Sequence, residues 1–232
     1  MDIVIIGAGG HGRVVLDILQ ASKHYHVKGF VDSNKALHGQ CVDGVPVLGD
    51  IAVLDDLRRR GVAGAVVAIG DNPTRKFYAS VVANHGLELV NAIHPTAALA
   101  HTVEIGSDVV IASGAMVCAH ARIGDSAILN TGCIVEHECV VGQAAHICPG
   151  TKLAGHVTVG PTAFVGIGAV VIQGLTIGQG AVIGAGSVVL RDVPPFTTCV
   201  GQPARVVKYR PPTGPAAGPH VAEPAGQRVA TG

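Results

Sequence analysis

A histidine and a glutamate stand side by side in the middle of the chain, at His137 and Glu138, and another histidine follows at His146. A carboxylate beside an imidazole raises the pKa of the imidazole and fixes its tautomer. A general base that works near neutral pH needs both effects. The pair therefore predicts a catalytic site in which His137 accepts a proton from a substrate.

A second candidate site is the loop Gly7-Ala8-Gly9-Gly10-His11-Gly12, which follows an apolar run and precedes a helical pattern. Its glycines match G-x-G-x-x-G, and Asp32 lies 20 residues after Gly12. Glycines let the backbone approach a phosphate, and a helix N-terminus favours negative charge. Fewer than 95 residues precede the repeat described below, too few for both halves of a dinucleotide fold. We expect a nucleotide or nucleotide-sugar site; a nicotinamide cofactor and a purely structural turn stay open.

The elements around this loop alternate between strands and helices. Strands are expected at 2–6, 27–31, 65–69 and 87–90, and helices at 13–21, 51–60 and 73–85. This alternation predicts an α/β, Rossmann-like βαβ domain over residues 1–92. A further loop, 68–72, ends a strand at the same sheet edge; there Asp71 or Asn72 would cap a helix, contact the ligand, or do both.

From residue 93 onward the chain has a period of six. Every sixth residue from Ile93 to Val189 is Ile, Leu or Val, and the position four residues later is usually small. This period fits neither an α-helix nor independent hairpins; it predicts a parallel β-helix in which each hexad supplies one short strand and one corner. Three hexads form a coil, so 93–209 is expected to hold about five to six coils and a closing segment. The Pro-, Gly- and Ala-rich residues 210–232 are expected to be disordered.

The hexad register assigns directions to the candidate residues. We expect the aliphatic position i and the small position i+4 to face inward, i+1 and i+2 to form the corner, and i+3 and i+5 to face outward. His137 then lies at a corner, Glu138 points outward beside it, and His146 points outward on the next wall. Residues 18 apart stack, which predicts a ladder of His120, Glu138 and His156 on one outer wall.

Composition excludes several classes of protein. Sixteen basic and sixteen acidic residues give no net charge, unlike a nucleic-acid binder. No apolar stretch is long enough to span a membrane, and the start lacks the basic region of a secretory signal. The six cysteines form no CxxC pair, and Cys133 and Cys139 occupy the small inward position, so we expect buried thiols. These features predict a cytoplasmic protein with no membrane or nucleic-acid partner.

Three segments together give the chain a specific resemblance: the N-terminal glycine loop, Ile-Leu-Asn-Thr at 128–131, and Val-Glu-His-Glu-Cys-Val-Val-Gly at 135–142. Over about residues 2–209 it resembles the bacterial nucleotide-aminosugar N-acetyltransferases of the left-handed β-helix class, a family that also contains sialic acid O-acetyltransferases. The resemblance implies a left-handed β-helix, acetyl-CoA as co-substrate without a metal, and a homotrimer with active sites between subunits. It also implies a 4-amino-4,6-dideoxy sugar on a nucleoside diphosphate as acceptor.

The resemblance assigns roles to individual positions. It makes His137 the base and Glu138 its paired acid, so that acetyl transfer is direct. The residues matching acetyl-CoA contacts are Asn130, His146, Gly155 and Ile167. The residues matching the acceptor pocket are Gly9, Gly10, His11, Asp32 and Asn72.

Other functions remain open at the level of sequence. O-acetylation of a sialic acid or a related sugar would use the same base on a hydroxyl. A zinc lyase of the carbonic anhydrase type would need three histidines converging at a subunit boundary. A non-catalytic nucleotide-sugar-binding module is a third alternative. The nucleoside base, the stereochemistry of the sugar and the pathway served are not encoded in any motif.

Overall fold

The computed structural model describes residues 1–209, which form an α/β unit followed by a β-solenoid. The elements of the α/β unit are β1 (Asp2–Ile6), α1 (Gly10–Ser22), β2 (His26–Val31), β3 (Cys41–Val42), β4 (Val45–Pro46), α2 (Leu54–Arg59), β5 (Gly64–Val67), α3 (Asn72–Asn84) and β6 (Glu88–Leu89), with 3-10 turns at Lys35–Leu37 and Ile51–Val53. Four of these strands form a parallel sheet in the order β2-β1-β5-β6. The predicted tail, 210–232, lies outside the described residues.

The solenoid is a prism with three walls, each a sheet of two-residue strands that pair in parallel with strands of neighbouring coils. Wall 1 contains Ala92–Ile93, Val110–Ile111, Ile128–Leu129, His146–Ile147, Phe164–Val165 and Val182–Ile183, followed by Thr197–Gly201 and Ala204–Tyr209. Wall 2 contains Ala98–Leu99, Met116–Val117, Ile134–Val135, Lys152–Leu153, Val170–Val171 and Val188–Val189. Wall 3 contains Glu104–Ile105, Arg122–Ile123, Val140–Val141, Thr158–Val159 and Thr176–Ile177. The predicted fold class, an α/β unit followed by a hexapeptide β-helix, is confirmed.

The corners lie one residue later than the register predicted. Each strand consists of positions i−1 and i, and the chain turns at i+2 and i+3. Position i+3 adopts a left-handed backbone conformation, with φ of 59° at His120, 58° at Glu138 and 60° at His156. The ladder therefore runs along an edge of the prism and not along an outer wall. Glycine recurs at this same position, as at Gly132 and Gly150 with φ of 64° and 66°, a signal that the sequence did contain.

The interior of the prism is filled by the aliphatic position and the small position of each hexad, as predicted. Cys133 and Cys139 are fully buried there and unpaired. Burial raises the pKa of the Cys133 thiol to about 12 and that of Cys139 to about 11. Both behave as small apolar side chains, which confirms their prediction as buried thiols.

The α/β unit packs against the upper part of wall 1. Outward residues of that wall, Val110 and Ile128, belong to one apolar cluster with residues of α1 and β1. These wall residues are fully buried, so the two units share a continuous core at their junction. Within residues 1–209, no helix is long and apolar enough to cross a bilayer.

A buried arginine on α3 fastens this junction. The side chain of Arg75 is fully buried and donates from Nε to the carbonyl of Ser126 (2.7 Å) and from Nη2 to the carbonyl of Ala144 (2.8 Å). These carbonyls belong to successive turns on the edge between walls 3 and 1. Its Nη1 donates to the carbonyl of Ile69 in the α/β unit (2.8 Å). The guanidinium thus joins both units through fixed hydrogen bonds; burial lowers its pKa to about 10, which leaves it charged near neutral pH.

Asp108 makes a second buried link across the junction. Its carboxyl accepts hydrogen bonds from the Val67 N–H and from Ser126 Oγ, both at 2.7 Å. Burial raises the pKa of Asp108 to about 7, against the opposing effects of these bonds and of Arg75. A protonated carboxyl is therefore present in the folded chain at pH values where an unfolded aspartate is ionised.

We predict that Asp108 gives the stability of the chain a pH dependence. The folded state keeps a proton that the unfolded state has released between about pH 4 and about pH 7, so the free energy of unfolding falls as pH rises through this range. Asp108→Asn stays neutral and retains an acceptor for Val67. Relative to wild type, the variant should gain ~1–3 kcal/mol between pH 5 and pH 8, measured by urea unfolding at a series of pH values. Asp17→Asn, an exposed change on α1, is the control; parallel pH curves for Asp108→Asn and wild type would contradict the prediction.

Candidate active site

The His137–Glu138 pair lies on the edge between walls 2 and 3, in the turn after strand Ile134–Val135. His137 Nδ1 is 3.1 Å from Glu138 Oε2, and both side chains are about half exposed. Because the carboxylate can only accept, Nδ1 carries the hydrogen and Nε2 keeps its lone pair. This is the tautomer that a general base requires, and Glu138 is placed to stabilise the imidazolium formed by protonation.

The ladder brings a second imidazole to the same carboxylate. His156 Nε2 lies 3.1 Å from Glu138 Oε2, and the rings of His156 and His137 meet edge to face with centroids 5.2 Å apart. Among the described residues, these three side chains alone offer ligand atoms spaced for a metal ion, all within 4.8 Å of one another. His120, the remaining member, makes no side-chain hydrogen bond to Glu138 in residues 1–209. Of the predicted ladder, the structure therefore contains the contact between Glu138 and His156.

Gly155 lies directly against the imidazole of His137. A Cβ at this position would come within 2.5 Å of Cε1 and Nε2 of His137. Gly155 is 18 residues after His137, one coil further along the same edge, so the sequence spacing could have revealed the contact. The absence of a side chain at Gly155 leaves the imidazole room to lie over the backbone. Gly155, predicted to contact acetyl-CoA, therefore borders the His137–Glu138 pair.

A second group of candidate residues lies on wall 1, beneath the α/β unit. His146 points outward from the prism as predicted, but it is 8% exposed because the α/β unit covers it. Its ring lies 6.5 Å from that of His11 and 5.2 Å from that of Phe164, measured between centroids. Burial, with the nearby charge of Arg75, lowers the pKa of His146 to about 3 and that of His11 to about 4. Both imidazoles are neutral at physiological pH.

Asn130 fixes the tautomer of His146. Its Oδ1 accepts the Thr131 N–H at 2.8 Å, so its Nδ2 faces Nε2 of His146 at 3.2 Å and donates to it. The hydrogen of the neutral His146 ring is therefore on Nδ1. That nitrogen and Nε2 of His11 are both buried and without hydrogen-bond partners in the described part of the chain. The arrangement provides a neutral N–H donor on wall 1, near His11 of the glycine loop and the backbone of Gly70.

The glycine loop has the geometry of an anion site. Helix α1 begins at Gly10, and its N-cap residue Gly9 makes no side-chain capping bond. A Cβ on Gly9 or Gly10 would meet no protein atom within 4 Å, whereas a Cβ on Gly12 would collide with the Gly7 carbonyl oxygen. Gly12 thus serves close packing, and Gly9 and Gly10 form the open face where a phosphate can approach unpaired N–H groups. Asp32 braces the loop from below.

The carboxylate of Asp32 is largely engaged by backbone. Its Oδ2 accepts from the Ala8 N–H (2.7 Å) and its Oδ1 from the Asn34 N–H (2.8 Å). These bonds connect the end of β2 with the glycine loop. The structure therefore gives Asp32 a role in shaping the predicted acceptor pocket, and a ribose hydroxyl would have to share these oxygens.

Asn72 differs from its prediction. It is 5% exposed, and its Nδ2 donates to the carbonyls of Thr162 and Ala163, both at 3.0 Å. Its Oδ1 accepts from Arg75 at 2.8 Å. The amide is thus used by the junction between the units, in place of the predicted contact with the acceptor. Arg75 itself escaped sequence analysis, because a single arginine on a helix carries no sign of burial.

The candidate residues fall on opposite sides of the prism. Asn130 and the 56% exposed Ile167 follow strands of wall 1, on the edge that it shares with wall 2. His146 lies on wall 1 itself. The pair His137–Glu138, with Gly155, lies on the edge between walls 2 and 3, and in a three-walled prism this edge is opposite wall 1. One chain therefore presents two groups of candidate residues that face away from each other.

Comparisons with known proteins agree on one kind of enzyme. The family model of the PglD N-terminal domain matches residues 2–82. The structure of a histidine-to-asparagine mutant of perosamine N-acetyltransferase from Caulobacter crescentus, in complex with CoA and GDP-perosamine, is 43% identical, with a TM-score of 0.87 over 90% of this chain and 97% of that one. Comparison with curated proteins gave no match.

Two further structures extend this likeness. The acetyltransferase domain of PglB from Neisseria gonorrhoeae, in complex with acetyl coenzyme A, is 33% identical, with a TM-score of 0.83 over 89% of this chain and 98% of that one. WeeI from Acinetobacter baumannii is 28% identical, with a TM-score of 0.81 over 89% of this chain and all of the other. The chain therefore belongs to the family of left-handed β-helix N-acetyltransferases that transfer an acetyl group from acetyl-CoA to a nucleotide-linked amino sugar.

Proposed function

We propose that this enzyme acetylates the 4-amino group of a GDP-linked 4-amino-4,6-dideoxyhexose of the perosamine type. The observation that carries the proposal is the 43% identity, spanning 97% of the other chain, to an enzyme solved with CoA and GDP-perosamine. The open glycine loop at the N-terminus of α1 supports a diphosphate acceptor. Acetyl-CoA and sugar nucleotides are metabolites of the cytoplasm, so the proposal includes a cytoplasmic enzyme.

In the proposed mechanism, Nε2 of His137 accepts a proton from the amine as its nitrogen attacks the thioester carbonyl. A C–N bond forms, the C–S bond breaks, and the CoA sulfur leaves as a thiolate that recovers the proton from the imidazolium. Glu138, 3.1 Å from Nδ1, stabilises the imidazolium between these two events. The thioester is already activated, so transfer is direct and this step requires no metal.

The tautomer of His146 supports a role on the acetyl side. Its Nδ1–H is buried and unpaired among the described residues, and Asn130 holds the ring in this state. A preorganised neutral donor is suited to an oxygen that gains negative charge during attack. We assign His146 to the thioester carbonyl, with Asn130 as the residue that orients it. Gly155 and Ile167 border the path proposed for the pantetheine arm.

The two groups of candidate residues lie on opposite sides of one chain, which supports an active site shared between subunits. The base of one copy, on its edge between walls 2 and 3, would face wall 1 and the glycine loop of a neighbouring copy. Wall 2 offers a mainly apolar surface for such an assembly: Met116 and Val170 are 46% and 38% exposed in the isolated chain, and Ile134 and the exposed Lys152 lie between them. Repeating this head-to-tail contact around a closed ring gives the proposed homotrimer.

The alternatives receive less support. A zinc lyase needs three converging histidines, whereas the cluster at the base contains two histidines and a glutamate whose polar atoms bond to each other. A sialic acid O-acetyltransferase would have no use for a phosphate site at α1. A binding module without activity would not need the oriented tautomers of His137 and His146.

The first prediction concerns the acceptor. Purified enzyme with acetyl-CoA should release thiol with GDP-perosamine, faster than with UDP- or dTDP-linked 4-amino-4,6-dideoxy sugars and with free sialic acid. His137→Gln should lower kcat by about 10²- to 10⁴-fold, the usual value of a general base. His101→Gln, an exposed histidine at the same hexad position two coils earlier, is the matched control. Preference for another nucleotide would replace the GDP assignment, and full activity of His137→Gln would remove the base from the mechanism.

A second prediction uses the contact of Gly155 with the base. In Gly155→Ala the new Cβ displaces the His137 imidazole, which is flexible, while the backbone at this position suits alanine. We expect kcat to fall by about tenfold or more with the melting temperature unchanged, since misplacing a base by an ångström is costly. Gln173→Ala, an exposed change one coil further along the same edge, should leave kcat at the wild-type value. An active Gly155→Ala enzyme would show that the imidazole works from another position.

A third prediction tests the shared site by complementation. Gly10→Glu places a carboxylate on the open face of the phosphate site and should be inactive yet folded, because no atom crowds this position. Mixed oligomers of Gly10→Glu and His137→Gln chains, refolded or co-expressed at equal amounts, should regain about a quarter of wild-type activity if each site draws on two chains. A site within one chain predicts no recovery. Each variant mixed with itself is the control.

A further inference from the structure

We propose that His156 is a positioning residue for the acetyl transfer, acting through Glu138 and not on the substrate. The inference rests on the proposed role of His137 as the base. Its basis is the geometry of one carboxylate oxygen: Glu138 Oε2 lies 3.1 Å from His137 Nδ1 and also 3.1 Å from His156 Nε2. The catalytic pair is thus one part of a three-residue unit, His137–Glu138–His156.

The carboxylate needs an external restraint. Glu138 is about half exposed; within residues 1–209 its side chain makes one hydrogen bond, with His137, and one further polar contact, with His156. A glutamate on a surface turn samples several rotamers, most of which would carry its oxygens away from His137. The second contact, with His156 Nε2 at 3.1 Å, favours the rotamer in which Oε2 faces Nδ1. Glu138 then stays beside His137, where it maintains the tautomer of the imidazole and supplies its counter-charge.

The β-helix holds the three residues in register. The backbone N–H of His156 donates to the backbone carbonyl of His137 at 3.0 Å, which connects the two turns. Glu138 and His156 both occupy the left-handed position of their turns, with φ of 58° and 60°, so their side chains leave the edge in the same direction one coil apart. The partner of Glu138 is therefore set by the backbone of the solenoid and not by flexible loops.

The proposed role of His156 predicts which kinetic constant changes when this residue is replaced. His156 contacts Glu138 and the edge of the His137 ring, and we assign it no contact with either substrate. Loss of its N–H should weaken the preorganised charge opposite the imidazolium, which matters in the transition state and little in the bound ground state. The effect should appear in kcat and spare KM.

The test compares two substitutions of similar length. Glutamine places a side-chain N–H near the position of the imidazole Nε2, whereas methionine fills the same space without a donor. We expect His156→Met to lower kcat about three- to tenfold, the range for the loss of one polar contact of hydrogen-bond strength, with KM for acetyl-CoA and for the sugar nucleotide unchanged. His156→Gln should restore most of the loss. His120→Met, the same left-handed position two coils earlier, is the control and should keep the wild-type kcat.

Three results would overturn the inference while leaving the proposed function intact. Equal kcat in His156→Met and wild type would show that Glu138 needs no second donor. Equal losses in the Gln and Met variants would indicate a steric role, and a raised KM at constant kcat would make His156 a substrate contact. Absence of turnover in the wild type itself would instead refute the proposed reaction, so the two failures are distinguishable; melting temperatures close to wild type confirm that the variants are folded.

Discussion

The backbone hydrogen bonds between successive coils are the constraint on which the rest of this structure depends. They set an 18-residue period, so that each position of one coil lies directly over its counterpart in the next. A side chain at one position therefore lies beside the side chains 18 residues before and after it. Glu138 meets His156, and His137 meets Gly155, for this reason. A catalytic group on an exposed edge gains fixed neighbours that a loop of the same length would not provide.

The second organising feature is the buried junction. Arg75 and Asn72, from the first turn of α3, bind carbonyls on three successive turns of the prism, at Ser126, Ala144 and Thr162. The Arg75 guanidinium is bonded to carbonyl oxygens and to the Asn72 amide, and no carboxylate bonds to it directly. It therefore orients the α/β unit while its positive charge still acts on nearby groups. That charge, together with burial, keeps His11 of the glycine loop and His146 on wall 1 uncharged. The same contacts that join the units therefore determine the protonation state of the nearby candidate site.

Environment divides the histidines of this chain into two chemical kinds. His137 is half exposed and hydrogen-bonded to the carboxylate of Glu138. His146 is buried, with a pKa lowered to about 3, so it can donate a hydrogen bond but cannot take up a proton near neutral pH. One imidazole is suited to proton transfer and the other to stabilising an oxygen. The prism keeps them on opposite sides of each chain, so the proposed mechanism depends on the proposed association of subunits.

The sequence alone determined the prism, the buried thiols and the α/β unit, because each follows from a local period or from the short-range rules of strands and helices. It also placed His137 beside Glu138, since the two residues are adjacent in the chain. The corner position is also marked in the sequence, by glycines that recur three residues after the aliphatic one. Glycine is favoured there because the turn requires a left-handed backbone conformation. Only the tertiary structure decided that Asn72 is consumed by the junction and that His146 is buried. Both facts arise where two units meet, and contacts between residues some 70 to 90 positions apart leave no periodic trace in the sequence, because they depend on how whole surfaces fit together.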